Sequence, residues 1–299
     1  MRIKLWLRAF RLRTLPLALC SVGMGAILAY QQGSFQSRIF ILTVATTIFL
    51  QILSNLANDY GDAQSGIDKE RQGEQRMVQS GLISPQAMKK AIIVFVVLSF
   101  FSGTWLLYEA FFRNGNQIGQ FLTFLALGIL AIIAAITYTM GKKPYGYIGL
   151  GDLAVLVFFG WVGVVGAFYL HTQTWEWLVV LPATSCGLFS VAVLNVNNIR
   201  DIDTDSKAGK NSIPVRLGKS RAVKYHYFVL AVAVILCLLY NLLTFATWEQ
   251  YLFLLTLPLL LKNAWAVKNL QGWQLDSYLK QMALTTLLFV LLFGLGVWL

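Results

Sequence analysis

The chain has 299 residues, of which 57% are hydrophobic and only 12% are charged, and its mean hydropathy is +0.65. Soluble domains carry about 25% charged residues, so the composition excludes a soluble globular protein and indicates an integral membrane protein. The net charge of +11 comes without an aromatic–basic recognition pattern, so no nucleic-acid partner is expected. We expect residues 1–299 to form one membrane-embedded domain, and no obligatory protein partner is evident.

Nine apolar windows are long enough to cross a bilayer, which takes about 20 helical residues. They predict an all-α integral membrane protein with nine transmembrane helices bundled around a central cavity. The N-terminal arginines precede no short apolar region with a cleavage site, so no removable signal peptide is expected. In chain order the windows are about 16–31, 39–57, 91–110, 118–138, 148–170, 177–196, 224–245, 250–268 and 281–299.

The basic residues predict the orientation of the chain. Of 24 Lys and Arg residues, 22 fall on one side of the nine spans when Lys262, inside the eighth window, is counted with that side, and only Arg38 and Arg113 fall on the other. Cytoplasmic loops carry an excess of Lys and Arg. We therefore expect the N-terminus and the two long polar loops, 58–88 and 197–223, to be cytoplasmic and the C-terminus to be external.

Local patterns predict some helix boundaries and contacts. Ser84 before a proline is typical of a helix N-cap, and Thr247 with Gln250 is typical of a capping box. Gly163 and Ala167 form a small-xxx-small step that favours close helix packing. Three cysteines lie within apolar windows at irregular spacing and are interpreted as packing residues, not as disulfide or zinc ligands: Cys20, Cys186 and Cys237.

A weak internal repeat links the two long loops, which hold eight of the 13 acidic residues. Asn58 and Asp62 recur as Asn197 and Asp201 at an offset of 139 residues, and each pair is followed by another aspartate, Asp68 or Asp205. Both patterns end an even-numbered span. The repeat predicts two related helical halves, with their acidic ends facing one another across the cavity beneath cytoplasmic cap loops.

The spacing of these polar residues suggests a metal site. Residues four apart share a helix face, where two carboxylates repel each other. Mg²⁺ prefers hard oxygen ligands, typically one or two carboxylates together with substrate phosphates and water. Two acidic clusters facing one cavity are therefore predicted to hold about two or three Mg²⁺ ions with a diphosphate between them.

Basic residues interleaved with the acids are candidates for diphosphate contacts. Arginine binds phosphate through two parallel hydrogen bonds, and lysine supplies a point charge. Arg76 and Arg200 are the stronger candidates because each is close in sequence to carboxylates. For each lysine, a contribution to the positive charge of the cytoplasmic side is about as favoured as a diphosphate contact. These lysines are Lys142, Lys143, Lys207 and Lys210.

A membrane-side diphosphate site favours an isoprenoid diphosphate as substrate. Metal ions and cations stabilise the departing diphosphate, and an allylic carbocation remains for an electron-rich partner to capture. A dry apolar cavity would protect that cation from water. Tyr60 and Tyr138 could face the cation. An ordinary position at the membrane interface, where tyrosine is enriched, accounts for them at least as well.

The segments NDYGDAQSGID and NNIRDIDTDSKAGKN resemble the two aspartate-rich signatures of the UbiA-type intramembrane aromatic prenyltransferases. The likeness covers nearly the whole chain, through RLRTLPLAL, LQILSNLANDYGDA, AAITYTMGKKPYGYIGLGDLAVLVFFG and LNVNNIRDIDTDSKAGKNSIPVRLG. The YGYIGLGDL and AGKN–VRLG segments are most similar to the branch that prenylates 1,4-dihydroxy-2-naphthoate.

The resemblance implies roles for individual residues. Mg²⁺ is the expected cofactor, with Asp62, Asp68, Asp201 and Asp205 as its ligands. The expected diphosphate contacts are Asn58, Arg76, Lys142, Asn197 and Arg200. Catalytic roles are expected for Asp62, Tyr138, Lys142 and Asp201, where Tyr138 and Lys142 match a Tyr-x-x-x-Lys element. The spacing of Asp59 and Asp203 does not match the motif. Asp62 and Asp68 are separated as Asp-x₅-Asp, not Asp-x₃-Asp as in other branches of the superfamily, so Asp68 is a weaker candidate ligand than Asp62.

The implied reaction transfers a polyprenyl group from an all-trans polyprenyl diphosphate, with octaprenyl as the expected length, to 1,4-dihydroxy-2-naphthoate. Carbon dioxide and diphosphate leave, giving demethylmenaquinol in menaquinone biosynthesis at a bacterial cytoplasmic (inner) membrane. One alternative is another aromatic acceptor, such as 4-hydroxybenzoate. A cation-coupled transporter is a second, although transporter acids tend to lie near the bilayer midplane, where this chain has few. A structural scaffold would not explain paired acidic clusters.

Overall fold

The computed structural model describes residues 2–65, 76–113 and 115–299. Within these ranges the chain is helical, with thirteen α-helices, several 3₁₀ turns, one π-helical segment and no strand. The α-helices are α1 (Arg2–Phe10), α2 (Leu15–Gln31), α3 (Ser37–Ser65), α4 (Pro85–Phe111), α5 (Ile118–Thr137), α6 (Gly151–Val155), α7 (Gly166–Thr172), α8 (Val180–Arg200), α9 (Ile202–Lys207), α10 (Ile213–Leu217), α11 (Lys219–Leu243), α12 (Leu257–Asn269) and α13 (Asp276–Trp298).

Nine segments of the described chain are long and apolar enough to cross a membrane, which confirms the predicted number. Several are composites: α1 with α2, and α6 with the π-helical segment and α7. The spans are Ile3–Gln31, Ser37–Ser65, Pro85–Phe111, Ile118–Thr137, Gly151–Thr172, Trp177–Arg200, Lys219–Leu243, Trp248–Asn269 and Gly272–Trp298. The chain is a multi-pass membrane protein.

The first span is longer than its apolar window because helix continues through the polar RLRT segment. A 3₁₀ turn, Leu12–Thr14, joins α1 to α2 after Arg11, which has a φ of 48°. Positive φ is uncommon outside glycine. Asn55 of α3 stabilises this kink by donating from Nδ2 to the Phe10 carbonyl and to Thr14 Oγ1, both at 2.9 Å. The two arginines of this kink, Arg11 and Arg13, line the cavity described below.

The predicted caps have mixed outcomes. Ser84 is the N-cap of α4, and its Oγ accepts a hydrogen bond from the Ala87 amide at 3.2 Å. The capping box at Thr247 is wrong, because that side chain makes no cap hydrogen bond. The chain instead winds as a 3₁₀ helix, Trp248–Thr256, and Gln250 Oε1 accepts from the Ala246 amide at 3.1 Å.

Small residues on two helices bring α2 against the Gly151–Thr172 span. A Cβ added to Gly163 would lie 2.8 Å from Ser21 Cβ, and one added to Gly25 would lie 2.8 Å from Ala167 Cβ. Real Cβ atoms do not approach so closely, so both glycines are required by the packing. The close approach predicted for Gly163 and Ala167 is confirmed, with Ser21 and Gly25 as the matching step on α2.

Packing is uneven across the bundle. Large buried side chains from several spans form one aromatic core, in which the Phe289 ring lies 4.7 Å from Phe189 and 4.8 Å from Phe253. The three cysteines are free and buried, as expected for packing residues. By contrast, α5 has no buried residue and turns one face towards a cavity. The opposite wall includes the π-helical segment Leu156–Val165.

The contact at Gly25 leads to a stability prediction. In Gly25→Ala the new methyl group must displace the Gly151–Thr172 span, and overpacking of this kind costs about 1–3 kcal/mol. We expect a lower midpoint of thermal unfolding in detergent. The matched control is Gly128→Ala on α5, where nothing lies within 4 Å of the added atom and the higher helix propensity of alanine favours stability. Equal midpoints for the two variants would contradict the packing described.

Candidate active site

A cavity of about 1370 Å³ lies between α2, α3, α5, the segment Leu156–Val165 and α8. At one end, called here the motif end, it is lined by Asn58, Asp62, Arg76, Tyr147, Asn197 and Lys210. Its walls continue as apolar and aromatic side chains, including Phe124 and Phe158, to Trp175 and Trp177. The cavity thus joins a small charged end to a long apolar channel.

Asp62 is a buried carboxylate with two partners at the motif end. Arg76 donates from Nη2 to Oδ2 at 2.9 Å, and the Tyr147 hydroxyl donates to Oδ1 at 2.7 Å. Both partners are distant in sequence from α3, so three segments meet at this carboxylate. Gly61 permits the meeting, because a Cβ there would lie 2.6 Å from the Thr139 carbonyl oxygen.

Asp59 has a structural role that the motif spacing did not reveal. It is 2% exposed, and its two oxygens accept hydrogen bonds from the amides of Met77 at 3.0 Å and Val78 at 3.1 Å. The carboxylate therefore caps the turn that leads towards α4 and brings Arg76 to Asp62.

The second motif is organised around Arg200. Its guanidinium donates to both oxygens of Asp201, from Nε and Nη2, each at 2.8 Å. It also donates to Asp276 Oδ1 and Asn197 Oδ1, both at 2.8 Å. Arginine matches carboxylate geometry in this two-pronged way, so Arg200 holds Asp201 in place and ties the end of α8 to the start of α13.

Asp205 pairs with Lys210, whose Nζ lies 2.9 Å from Oδ2. Asp205 is buried at the end of the same polypeptide turn, and its amide donates to the Asp201 carbonyl at 2.8 Å. Lys210 lines the cavity, whereas Asp201 and Asp205 lie behind the cavity-lining residues of the described chain. The second cluster therefore presents a lysine and two asparagines to the cavity, with its carboxylates in a layer behind them.

Comparison with known proteins identifies the family. The UbiA prenyltransferase family matches residues 18–293. The chain belongs to this family. It is 46% identical to 1,4-dihydroxy-2-naphthoate octaprenyltransferase of Haemophilus influenzae, over 99% of this chain and 96% of the relative, and 46% identical to the protein of that name in Escherichia coli, over 100% and 96%.

Solved structures of UbiA homologues share the fold. The apo structure of a homologue from Aeropyrum pernix K1 has a TM-score of 0.70 at 18% identity, covering 95% of this chain and 96% of that one. A homologue from Archaeoglobus fulgidus bound to GPP and Mg²⁺ has a TM-score of 0.63 at 18% identity, covering 98% and 99%. At this level of identity the likeness establishes the all-helical membrane fold alone.

In this UbiA-family chain two glycines frame Tyr138. A Cβ on Gly146 would lie 2.9 Å from the Tyr138 ring, and one on Gly151 would lie 2.9 Å from its hydroxyl. Burial, reinforced by the nearby Asp152, Asp62 and Asp205, holds the pKa of Tyr138 well above its usual value. Burial likewise raises the pKa of Tyr145 to about 12. Both phenols are therefore protonated and neutral at physiological pH.

The predicted site residues fall into three groups within the described chain. One group lines the cavity: Asn58, Asp62, Arg76, Tyr138 and Asn197. A second group supports it from behind: Arg200, Asp201 and Asp205. Lys142 belongs to neither, since it lies on the exposed loop 141–143 away from the cavity wall, so its role stays a prediction. Asp68 lies outside the described residues.

Sequence reasoning missed Tyr147 and gave Lys210 no preference over its neighbours. Tyr147 lies in the YGYIGLGDL segment, which was recognised as characteristic without a function for its tyrosines. Its role depends on the path of the loop after α5, which one-dimensional spacing does not show. Tyr60 does not line the cavity of the described chain; it packs with the apolar residues around Leu56 and Met88 and accepts a hydrogen bond from Gln64.

The donor chemistry at the motif end fits Mg²⁺. Among the described residues, no three His, Cys, Asp or Glu side chains converge closely enough to enclose a metal ion by themselves. Mg²⁺ does not require such a cage, because it keeps several waters and binds through one or two carboxylates and substrate phosphates. Asp62, Asn58 and Asn197 all line the cavity, so carboxylate and amide oxygens of the kind that Mg²⁺ prefers are present in its wall.

The two neighbouring acids of α3 give a paired prediction. Asp59→Asn leaves one acceptor oxygen for the two amides of Met77 and Val78, and an unsatisfied buried donor costs about 1–3 kcal/mol, so we expect a lower unfolding midpoint in detergent. Asp62→Asn removes the charge that faces the cavity and weakens the pairing with Arg76, so we expect loss of catalysis together with a lower midpoint, whereas folded Asp59→Asn protein should retain transfer. Prenyl-transfer assays and thermal unfolding of both purified variants test this division. A stable but inactive Asp59→Asn protein would instead assign Asp59 to the chemistry.

Proposed function

We propose that this UbiA-family protein transfers a polyprenyl group from a polyprenyl diphosphate to 1,4-dihydroxy-2-naphthoate, with loss of carbon dioxide and diphosphate. The product is demethylmenaquinol. The observation that carries the proposal is the cavity, because its charged motif end and long apolar channel match the two parts of a polyprenyl diphosphate. The choice of acceptor is supported by the relatives of that name, which align over nearly the full chain.

The chain's own residues supply a diphosphate site at the motif end. Arg76 and Lys210 bring positive charge to the cavity wall, and each is already held by a carboxylate, Asp62 or Asp205. Asn58 and Asn197 add neutral polar groups on opposite helices. In this proposal Arg200 acts as a positioning residue, because its donors are directed at Asp201, Asp276 and Asn197.

Mg²⁺ would be held by Asp62, with Asp68, Asp201 and Asp205 as further proposed ligands, and when bound it would neutralise charge on the departing diphosphate. Asp201 and Asp205 would first have to exchange their contacts with Arg200 and Lys210 for the ion. The apolar channel excludes water from the allylic cation formed when the C1–oxygen bond breaks. The carboxyl-bearing carbon of the naphthoate then forms the new carbon–carbon bond. Loss of carbon dioxide restores the aromatic ring, so the protein needs no base for that step.

The substrate assignment is tested with purified protein and two acceptors, 1,4-dihydroxy-2-naphthoate and 4-hydroxybenzoate, each with a ladder of prenyl diphosphates. We expect transfer to the naphthoate, with octaprenyl diphosphate among the accepted donors, and loss of turnover in EDTA that Mg²⁺ restores. Asp62→Ala and Asp201→Ala are each expected to abolish transfer without preventing membrane insertion. Turnover by the purified chain also tests the proposal that this single domain needs no protein partner.

Several results would count against this function. Preferential transfer to 4-hydroxybenzoate would show that the naphthoate is not the preferred acceptor. Turnover unaffected by EDTA would contradict the proposed role of Mg²⁺. Full activity in both aspartate variants would contradict the assignment of these aspartates to the metal–diphosphate site. Cation flux into liposomes without prenyl transfer would favour a transporter.

We further propose that the protein lies in a bacterial cytoplasmic membrane with the N-terminus and the motif end on the cytoplasmic side and the C-terminus outside, since 22 of the 24 basic residues fall on that side. The native cysteines are buried, so single added cysteines can report orientation. Ser80→Cys is expected to react with an impermeant maleimide only after cells are opened, whereas Gly115→Cys, on the other face, is expected to react in intact cells. The reverse pattern would invert the topology.

A further inference from the structure

Two arginines reach the cavity at the kink between α1 and α2. Arg11 and Arg13, called here the kink arginines, both line the cavity, and both side chains are partly exposed. They belong to the first membrane span, Ile3–Gln31. Charged side chains within a span are rare and mark substrate or ion sites. The kink arginines are therefore candidates for contact with a charged group bound in the cavity.

Hydrogen bonds to α3 fix the position of this kink along the cavity. Thr14 Oγ1 accepts from Asn55 Nδ2 at 2.9 Å and from Gln51 Nε2 at 3.1 Å. Asn55 precedes Asp62 by seven residues, which is about two turns and about 10 Å along the helix axis. The kink therefore meets α3 about two turns from Asp62, in the direction of Leu50, which lines the apolar channel.

The cavity wall carries more positive charge than the diphosphate site alone uses. Within the described residues its charged side chains are four cations and one carboxylate: Arg11, Arg13, Arg76, Lys210 and Asp62. Arg76 and Lys210 are the cations of the proposed diphosphate site. The kink arginines add two positive charges on a different element of the wall.

A guanidinium carries five N–H donors in a planar fork, so the kink arginines can bind an anion in addition to their contacts within the protein. One such contact joins Arg13 Nη1 to Asp276 Oδ2 at 3.9 Å, and 29% of the Arg13 side chain is exposed. The fork of arginine matches a carboxylate through two parallel hydrogen bonds. A carboxylate ligand therefore suits the kink arginines.

The geometry of the reaction indicates which carboxylate this is. The carboxyl-bearing carbon of the acceptor must approach the prenyl C1 to about 3–3.5 Å, so the acceptor's carboxylate lies close to the diphosphate. Two anions at that distance repel each other, and cations beyond those on the diphosphate are needed to hold the second anion there. We propose that Arg11 and Arg13 bind the carboxylate of the aromatic acceptor and so direct its carboxyl-bearing carbon towards the prenyl group; this rests on the proposed function.

A third arginine of the same segment provides a matched control. Arg8 lies on α1, three residues before Arg11, and its side chain is exposed. It does not line the cavity in the described chain. Arg8→Gln therefore removes one positive charge from the N-terminal segment without touching a ligand in the cavity.

The test measures how much the negative charge of an acceptor analogue contributes to binding. Dissociation constants of 2-naphthoate and of neutral 2-naphthamide, which has a similar shape, are measured by isothermal titration calorimetry with Mg²⁺ and inorganic diphosphate present. The proteins are wild type, Arg8→Gln, Arg13→Gln and a double variant that combines Arg11→Asn with Arg13→Gln. Asparagine is used at position 11 because it tolerates the positive φ there.

In wild type and Arg8→Gln we expect 2-naphthoate to bind about ten- to hundredfold more tightly than 2-naphthamide, the range of hydrogen bonds to a charged group. Arg13→Gln should lose part of this preference, and the double variant should lose nearly all of it, because the amide is bound equally well without the guanidinium groups. Arg13→Lys keeps the charge without the planar fork and should retain more of the preference than Arg13→Gln.

Diphosphate binding separates this role from a contribution to the diphosphate site. The dissociation constant of inorganic diphosphate, measured without an acceptor, should rise in Arg76→Gln and stay close to that of wild type in Arg13→Gln. If the double variant fails to fold, Arg13→Gln carries the test, because residue 13 lies within the 3₁₀ turn and needs no positive φ. A raised diphosphate constant in Arg13→Gln with an intact preference for 2-naphthoate would assign the kink arginines to the diphosphate and overturn the inference.

Failure of this inference is distinct from failure of the proposed function. A wild-type protein that prenylates 1,4-dihydroxy-2-naphthoate but binds 2-naphthoate and 2-naphthamide equally well removes the role of the kink arginines alone. The same conclusion follows if the folded variants keep the full preference for 2-naphthoate. A wild-type protein that neither binds nor prenylates any naphthoate removes both proposals together.

Discussion

The architecture depends on pairing buried carboxylates with cations at the ends of membrane-spanning helices. A charge taken out of water costs several kcal/mol unless a partner and further hydrogen bonds compensate it. Asp62 has Arg76 and Tyr147, and Asp201 has the guanidinium of Arg200. Because Arg76 and Tyr147 come from different connections, forming the Asp62 cluster also closes those connections over the cavity. The same contacts thus satisfy the acids and shape the polar end of the site.

The two acidic clusters lie on opposite walls of the cavity, and these walls differ in how closely they are packed. Arg200 reaches Asp276 at the start of α13, and α13 carries Phe289 into the aromatic core. The second motif therefore stands on the densely packed part of the bundle. The first motif stands on α3, whose neighbour α5 contributes no buried residue. One wall of the cavity is thus fixed by close packing, whereas the opposite wall leaves the volume that a long apolar substrate requires.

Features that involve many residues, such as hydropathy and an internal repeat, can be predicted from the sequence. Roles that depend on a single tertiary contact cannot. Nine spans follow from hydropathy, and the asparagine–aspartate repeat correctly brings Asn58 and Asn197 to one cavity. Asp59 and Asp62 look alike in one dimension, and only the path of residues 76–78 makes one a cap and the other a cavity residue. Lys142 and Lys210 are equally plausible from charge alone, and the fold places only Lys210 on the cavity wall.

One face of α8 carries side chains of increasing polarity along the cavity, because residues on that face recur with the period of the helix. Residues three and four apart fall on one side of an α-helix at steps of about 5 Å, and Ser190, Leu194 and Asn198 follow this spacing into the Asp201 cluster. From Leu194 onward the face passes from apolar, through neutral polar Asn198, to charged Asp201 within about two turns. A polyprenyl diphosphate has the same order of polarity from tail to head, with its reactive carbon at the boundary.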